Sequence, residues 1–471
     1  MSSDRAAVPP ESAAPSGQTP QTGIPDAAQR AFQQAAERHQ AGDIAGALDL
    51  YRKAVELHPS LADAYNNIGV ILRSQEKLPA AVVCFRRALI HAPNNAAVLS
   101  NLGNVLWQML RHEEAAVAFR RSVELDPQRA ETLHNLGLLL HSMGDYQAAI
   151  ECFTKSLDRM PGNIDVAWDR SLTRLVMGDL ERGWSEYEVR WKLKHNPPRR
   201  FPFPLWEGQA VPDCSLLVHF EQGLGDTIQF ARYLPLVASR VKRLVFECPP
   251  ELTRLMACLP GVAEIVPAGR PVPQSDYHIP LLNIPRFFGT TLERNLPAAI
   301  PYLKPQADVM APGFTRPAGT KLAIGIVWAG KPSHNNDKNR SITLDKFFGL
   351  ADLPGVALYS LQKGLRTADI QTLGADSLIE DLGSRTSDFA ETAALLPQLD
   401  LIVSVDTAVV HLAGALGVPA FVLIPFTPDW RWLKDREDSP WYPSLRLFRQ
   451  TAPRDWDGVF SRVRQAVEAL L

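Results

Sequence analysis

At 471 residues the chain is too long for one ordinary domain, and two or three are expected. Apolar residues at 46% and charged residues at 21% give the balance of a soluble globular protein. The 49 basic and 51 acidic residues leave a formal charge of -2, which argues against nucleic acid as the main ligand, because the phosphate backbone needs a basic surface. No apolar run reaches the length of a membrane span; the longest is broken by Asp406 and His411. The opening residues lack the basic-then-apolar pattern of a signal peptide. Cys84, Cys152, Cys214, Cys248 and Cys258 are scattered without metal spacing, so reduced packing cysteines in a cytoplasmic protein are expected.

Residues 1–26 are rich in Pro, Ser, Ala and Gln and cannot bury enough surface to offset the entropy of ordering, so a disordered tail is expected. From 27 to 195 the chain repeats every 34 residues, in about five units. Pro59, Pro93, Pro127 and Pro161 keep this step, as do Gly69, Gly103 and Gly137, Ala47, Ala81, Ala115 and Ala149, and the aromatics Tyr51, Phe85, Phe119, Phe153 and Tyr187. Small residues where two helices cross, with proline at the repeat end, are the signature of tetratricopeptide repeats, which stack into an α-solenoid. These positions are read as packing residues. Asn67, Asn101 and Asn135 keep the same step and are expected to face a partner-binding groove, where an amide can both donate to and accept from a peptide backbone. The alternative for them is a solvated helix face.

The fifth unit is more aromatic, with Trp184, Tyr187 and Trp191, and reads as a cap that docks onto the next domain. A linker at 196–213 is rich in proline, which excludes regular helix. The stretch 214–310 then reads as one α/β half. A strand from Ser215 to Phe220 leads through Gly223-Leu224-Gly225-Asp226 into a helix from Ile228 to Arg240. Gly223 and Gly225 permit backbone conformations and close ligand approach that a Cβ would resist. Further strands are expected at Arg243–Glu247, Glu264–Pro267 and Tyr277–Leu281, with a helix at Glu251–Leu259.

A second α/β half is expected at 320–471. It has strands at Lys321–Trp328 and Val356–Leu361, helices at Leu344–Ala351 and Phe389–Leu396, and a last amphipathic helix at Gly458–Leu471. Its most informative stretch is Leu401 to Phe426. A β-branched run ends at Asp406-Thr407, a small-residue helix runs from Ala408 to Leu416, Gly417 and Pro419 stop it, and a second apolar run follows. Ligands of open parallel sheets bind at the carboxyl ends of the strands, where Asp406 and Thr407 fall. The first turn of the helix offers unpaired N–H groups and a partial positive charge to a phosphate. Read alone, Asp406 could equally be a helix cap and His411 a satisfied core histidine.

The run Asp406-Thr407-Ala408-Val409-Val410-His411-Leu412-Ala413-Gly414-Ala415-Leu416-Gly417-Val418-Pro419 resembles a motif of the ADP-heptose:lipopolysaccharide heptosyltransferases, which usually have Gly in place of Ala408. The resemblance covers roughly 205–471 and includes Gly223-Leu224-Gly225-Asp226 and the Asn336 to Arg340 segment. It implies the GT-B fold of two Rossmann-like halves, acceptor side first and nucleotide-sugar side second. The layout of repeats before this region is similar to that of the O-linked N-acetylglucosamine transferases and of bacterial repeat-bearing glycosyltransferases, and the three asparagines resemble the former's ladder.

The resemblance implies Asp226 as the base that takes the acceptor proton, Lys338 as a phosphate-binding lysine, and Asp406 as a holder of sugar hydroxyls. A helix N-terminus contributes at most about 2 kcal/mol to an anion, too little for a diphosphate leaving group, so Lys331 and Arg340 are expected to assist. His411 is expected to bind a sugar or phosphate oxygen, and Gln362 and Lys363 are placed near the nucleoside by position. This scheme needs no metal or cofactor. Asp455-Trp456-Asp457 is a DxD string, but it precedes a helix, so Asp457 reads as an N-cap. The aromatic loop from Thr427 to Tyr442 is read as packing the two halves rather than as a sugar platform. The expected function is an inverting, metal-independent glycosyltransferase using a nucleotide-diphosphate sugar, with a protein or glycan acceptor and the repeats recruiting a partner. Two rivals remain open: a non-enzymatic repeat scaffold and a sugar-nucleotide epimerase.

Overall fold

The computed structural model describes residues 23–194, 196–297, 299–333 and 336–471. The expected tail falls outside them except at its end, where Asp26 already opens the first helix. Two compact units result, Met1–Thr173 and Arg174–Leu471, so the expected boundary near 195 moves to the middle of the fifth repeat. Among the described residues no helix is long and apolar enough to cross a membrane.

The first unit is a run of paired helices: α1 (Asp26–Gln40), α2 (Ile44–Leu57), α3 (Ala62–Ser74), α4 (Leu78–His91), α5 (Ala96–Gln108), α6 (His112–Leu125), α7 (Ala130–Ser142), α8 (Tyr146–Arg159) and the bulk of α9 (Ile164–Val176). Pro59, Pro93, Pro127 and Pro161 each sit two residues beyond a helix end, where a missing N–H costs nothing. The glycine step has a direct cause. A Cβ on Gly69, Gly103 or Gly137 would stand 2.7, 2.7 or 2.6 Å from the ring of Phe85, Phe119 or Phe153, all fully buried. The asparagine row departs from expectation. Asn101 and Asn135 are buried, and their amides donate to Asn66 at 3.0 Å and Asn104 at 3.1 Å, while Asn67 donates to Tyr51 at 3.0 Å. The repeating position therefore ties helices together, and within this network the Asn101 Oδ1 and Asn104 Nδ2 atoms are buried without a hydrogen-bond partner among the described residues.

The second unit begins with the end of the repeat array. α10 (Leu180–Tyr187) buries Trp184 and Tyr187, and Trp184 packs edge-on against Phe230 at 5.9 Å and Trp430 at 5.2 Å. Arg190 is fully buried and holds Glu221 at 2.9 Å. The aromatic fifth repeat thus docks onto the α/β region, as a cap should.

Two parallel sheets follow. The first contains β1 (Val211–His219), β2 (Val241–Cys248), β3 (Val262–Pro267) and β4 (Tyr277–Pro280) in the order β3-β2-β1-β4. The second contains β5 (Leu322–Val327), β6 (Val356–Ser360), β7 (Ile379–Asp381), β8 (Leu401–Val405), β9 (Ala420–Ile424) and β10 (Leu445–Arg449) in the order β10-β9-β8-β5-β6-β7. The second order reverses direction between β5 and β8, which opens a crevice at their carboxyl ends. This is the α-solenoid followed by a GT-B-type α/β region that the sequence indicated.

Several elements differ from expectation. The helix expected from Ile228 to Arg240 starts earlier and is broken: Leu224–Phe230, a 3-10 turn, then Leu234–Ala238, with Pro235 in its first turn. The helix expected at Glu251–Leu259 is a 3-10 turn and the four residues Thr253–Met256. β7 and β10 were not anticipated. The N-cap of the last helix, Trp456–Glu468, is Asp455, which accepts from the Gly458 amide at 2.9 Å. Asp457 instead lies exposed and pairs with Lys346 at 2.5 Å.

Candidate active site

β8 is buried throughout and delivers Asp406 to the carboxyl edge of the second sheet. Thr407 is extended at the N-cap of the Ala408–Leu416 helix, and no side chain caps that helix. The Thr407 hydroxyl instead lies 3.2 Å from the Ser404 hydroxyl. Gly417, with φ at 75°, ends the helix in the left-handed conformation that a side chain disfavours. The result is a helix start whose first amides are left to solvent or ligand, beside the β5–β8 crevice.

Cations border this turn. Arg340 donates to the Asp406 carbonyl at 2.9 Å and lies 3.5 Å from Asp337. Lys331 and Lys338 are exposed on the same segment after β5. Gln362 departs from its expected role at the nucleoside. Its Oε1 accepts from the Trp328 amide at 3.2 Å and the Ala329 amide at 3.0 Å, and its Nε2 donates to the Ala329 and Lys363 carbonyls at 3.0 Å each. Three of these four hydrogen bonds fasten the loop after β5, so Gln362 shapes the crevice wall. Lys363 is exposed and donates to the Thr386 carbonyl; desolvation lowers its pKa.

His411 is buried one turn into the helix. Its Nδ1 lies 3.1 Å from the Tyr442 hydroxyl, its ring stacks on Trp432 at 5.1 Å, and its Nε2 is 3.9 Å from Asp406. Burial pushes its pKa down to about 3, so the imidazole is neutral and holds Asp406 by no ion pair. Burial likewise pushes the Asp406 carboxyl up to about 6, with Asp429 adding to the rise and Arg340 opposing it.

The first half meets this turn directly. Asp226 reaches back along its own short helix and accepts from the amide of the N-cap residue Gly223 at 2.8 Å. A Cβ on Gly225 would stand 2.8 Å from the His411 ring. Neither glycine has a positive φ, so the requirement at Gly225 is close approach to His411 rather than unusual backbone. The other Asp226 oxygen accepts from Arg431, on the loop between β9 and β10.

Arg431 was missed in the sequence. It is buried, donates to Asp429 at 2.8 Å and to Gln222 at 3.3 Å, and its Nε has no partner among the described residues. Burial works against its charge, but Asp226 and Asp429 outweigh that and hold its pKa above the ordinary value. Asp429 in turn is held below its ordinary value: burial raises it, and Arg431 more than offsets this. The surrounding aromatics, Trp430, Trp432, Trp441 and Tyr442, are buried, and Trp430 and Trp441 pack against Phe230 of the first half at 6.2 and 6.0 Å. A cavity of about 310 Å³ lies elsewhere, lined by Glu181, Trp184, Arg286 and Thr290.

Known proteins place this architecture in a class. Tetratricopeptide models match residues 36–73, 60–128 and 96–162, and the model "Glycosyltransferase family 9 (heptosyltransferase)" matches residues 366–452, which contain Asp406, His411 and Arg431. The chain thus joins tetratricopeptide repeats to a region of the family 9 glycosyltransferase type. Among individual proteins it is similar to Protein FlbA of Caulobacter vibrioides, 26% identical over 331 residues, 63% of this chain and 54% of that one. The chain therefore spans about half the length of this curated relative. Among solved structures it is similar to YrrB, a TPR protein with an unusual peptide-binding site, at 24% identity over 36% of this chain and 88% of that one, with a TM-score of 0.33. It is likewise similar to Pseudomonas aeruginosa pilF, at 28% identity over 37% of this chain and 78% of that one, with a TM-score of 0.33.

Proposed function

We propose that the chain is a glycosyltransferase that moves a sugar from a nucleotide-diphosphate donor to a protein or glycan acceptor, with the repeats recruiting the acceptor or a partner protein. The observation that carries this reading is the uncapped start of the Ala408–Leu416 helix at the β5–β8 crevice, with Arg340 against Asp406. In this reading the diphosphate sits over Thr407 and Ala408, and Lys338, Lys331 and Arg340 supply the charge that the helix alone lacks. Asp406 holds sugar hydroxyls, and His411, neutral, offers a hydrogen bond to a sugar or phosphate oxygen. Asp226 takes the acceptor proton, and attack from the face opposite the leaving group inverts the anomeric carbon without a metal.

One observation favours a second reading. Both oxygens of Asp226 are engaged, by Gly223 and Arg431, which would suit a scaffold without activity. Calorimetric titration of the full chain with ADP, UDP, GDP and CDP separates the two. Micromolar binding of one diphosphate supports the transferase and names the donor class. Binding of none, at millimolar concentrations, sinks it and leaves the repeats as the functional half.

A further inference from the structure

Two loops converge on one buried guanidinium. The loop 222–226 brings Gln222 and Asp226 from the first half. The loop between β9 and β10 brings Asp429 and Arg431 itself, and its next residue, Trp432, stacks on His411 at 5.1 Å. Gly225 closes against the same His411 ring, which places the Arg431–Asp226 contact beside the start of the Ala408–Leu416 helix. The cation is shared between two carboxylates, Asp226 and Asp429, and one of its donors, Nε, remains buried and unused.

An arginine fork suits a phosphate as well as a carboxylate, because both offer two oxygens at matching spacing. A second anion at the helix start would therefore compete with Asp226 for it. We propose that Arg431 is a diphosphate-binding residue held in reserve by Asp226: a nucleoside diphosphate at the helix start takes over the guanidinium, and the same exchange frees the Asp226 carboxylate. This deepens the transferase reading above and rests on it. It reconciles a carboxylate placed to act as a base with the engagement of both its oxygens by Gly223 and Arg431. It also orders events, since Asp226 becomes able to accept a proton only after the donor is seated. Asp429 keeps one side of the guanidinium fixed throughout, so the exchange requires a turn of one side chain rather than its expulsion.

The test is a double-mutant cycle on diphosphate affinity, read by calorimetry on the full chain with ADP, UDP, GDP and CDP at one pH and ionic strength. Asp226→Asn removes the competitor and keeps the helix cap, so it should tighten binding of the responding nucleotide by about tenfold, the scale of a modest buried charge-pair coupling. Arg431→Gln should weaken binding, Arg431→Lys should restore part of the loss, and in the Arg431→Gln background the gain from Asp226→Asn should vanish. Wild type that binds while Asp226→Asn binds no tighter overturns the exchange and leaves the transferase reading standing. A gain that persists in the double variant also overturns it, because the gain then reflects net charge alone. Should Arg431→Gln fail to fold by circular dichroism, the comparison of Asp226→Asn with wild type, together with Arg431→Lys, still decides. If neither wild type nor Asp226→Asn binds any of the four, the transferase reading and this inference fall together.

Discussion

Asp406→Asn should make the protein more stable at neutral pH and less able to bind donor. The Asp406 carboxyl stands at about 6 against an ordinary value of 3.8, raised mainly by burial. Between those values the folded chain binds a proton more tightly than the unfolded chain does. The stability linked to that proton is fully present below pH 3.8 and is lost as pH rises through about 6. At 1.36 kcal/mol per pK unit, the shift amounts to about 3 kcal/mol above pH 7. This is an upper bound, because the Asp406 side chain is 16% exposed and Arg340 partly compensates its charge. Asparagine keeps the shape and never ionises. The difference in thermal midpoint between Asp406→Asn and wild type should therefore be near zero at pH 4, grow between pH 4 and 6, and level off above pH 7 at several degrees. A variant no more stable than wild type at pH 8, or one whose difference is the same at pH 4 and pH 8, would refute the reasoning. Nucleotide-sugar affinity measured on the same samples should fall, which separates a group kept for its ligand from one kept for the fold.

Three other outcomes follow from the geometry. Lys338→Ala should weaken binding of the responding nucleoside diphosphate by about tenfold and leave the thermal midpoint unchanged, because the residue is exposed; equal affinity would remove it from the site. Gly225→Ala places a Cβ 2.8 Å from the His411 ring and must push the two halves apart locally. It should cost about 1–3 kcal/mol in urea unfolding and also weaken nucleotide binding; an unchanged midpoint would mean that the loop moves freely. Gly103→Ala meets Phe119 at 2.7 Å inside the repeats, so overpacking should outweigh its helix-propensity gain of about 1 kcal/mol and lower the midpoint of the repeat transition.

The parts of the fold that could be read in the sequence are those where one physical cause repeats or stands in one local stretch. The repeat unit is legible because a glycine answers a phenylalanine sixteen residues on, as Gly103 answers Phe119, and packing imposes that pairing in three successive units. The β8–helix–β9 segment is legible because a β-branched run, an apolar helix rich in Ala and Gly and a Gly417 stop follow each other without interruption. β7 and β10 escaped because they are sheet edges. Ile379–Asp381 is three residues with two acids, and Leu445–Arg449 breaks the alternation of a half-buried strand with Leu447-Phe448 between Arg446 and Arg449. The site residues divide in the same way. Asp406 and Thr407 stand at the end of β8, and Arg340 reaches the Asp406 carbonyl there. Gln362 was misassigned because an amide that fastens a loop and an amide that reads a ligand are identical in sequence. Arg431 was invisible because its meaning comes from Asp226, 205 positions away in the chain.

The energetic cost of this cluster bears on whether it is a site at all. A packing interface between two halves would be served better by apolar side chains, since burying charges is seldom repaid by their mutual attraction. Here the interface buries Arg431 against two carboxylates, holds a carboxyl at about 6, and keeps His411 neutral at about 3. The neighbouring Trp430, Trp432, Trp441 and Tyr442 already supply apolar contact, so adhesion does not require the charges. Groups with pKa values pushed in opposite directions within one crevice are the arrangement expected where a charged ligand is bound and a proton is moved. A scaffold would gain stability by replacing them one at a time. The protein that carries Asp406, Asp429, Arg431 and Asp226 together accepts that cost at a place where the sheet order and the open helix end also favour an anion.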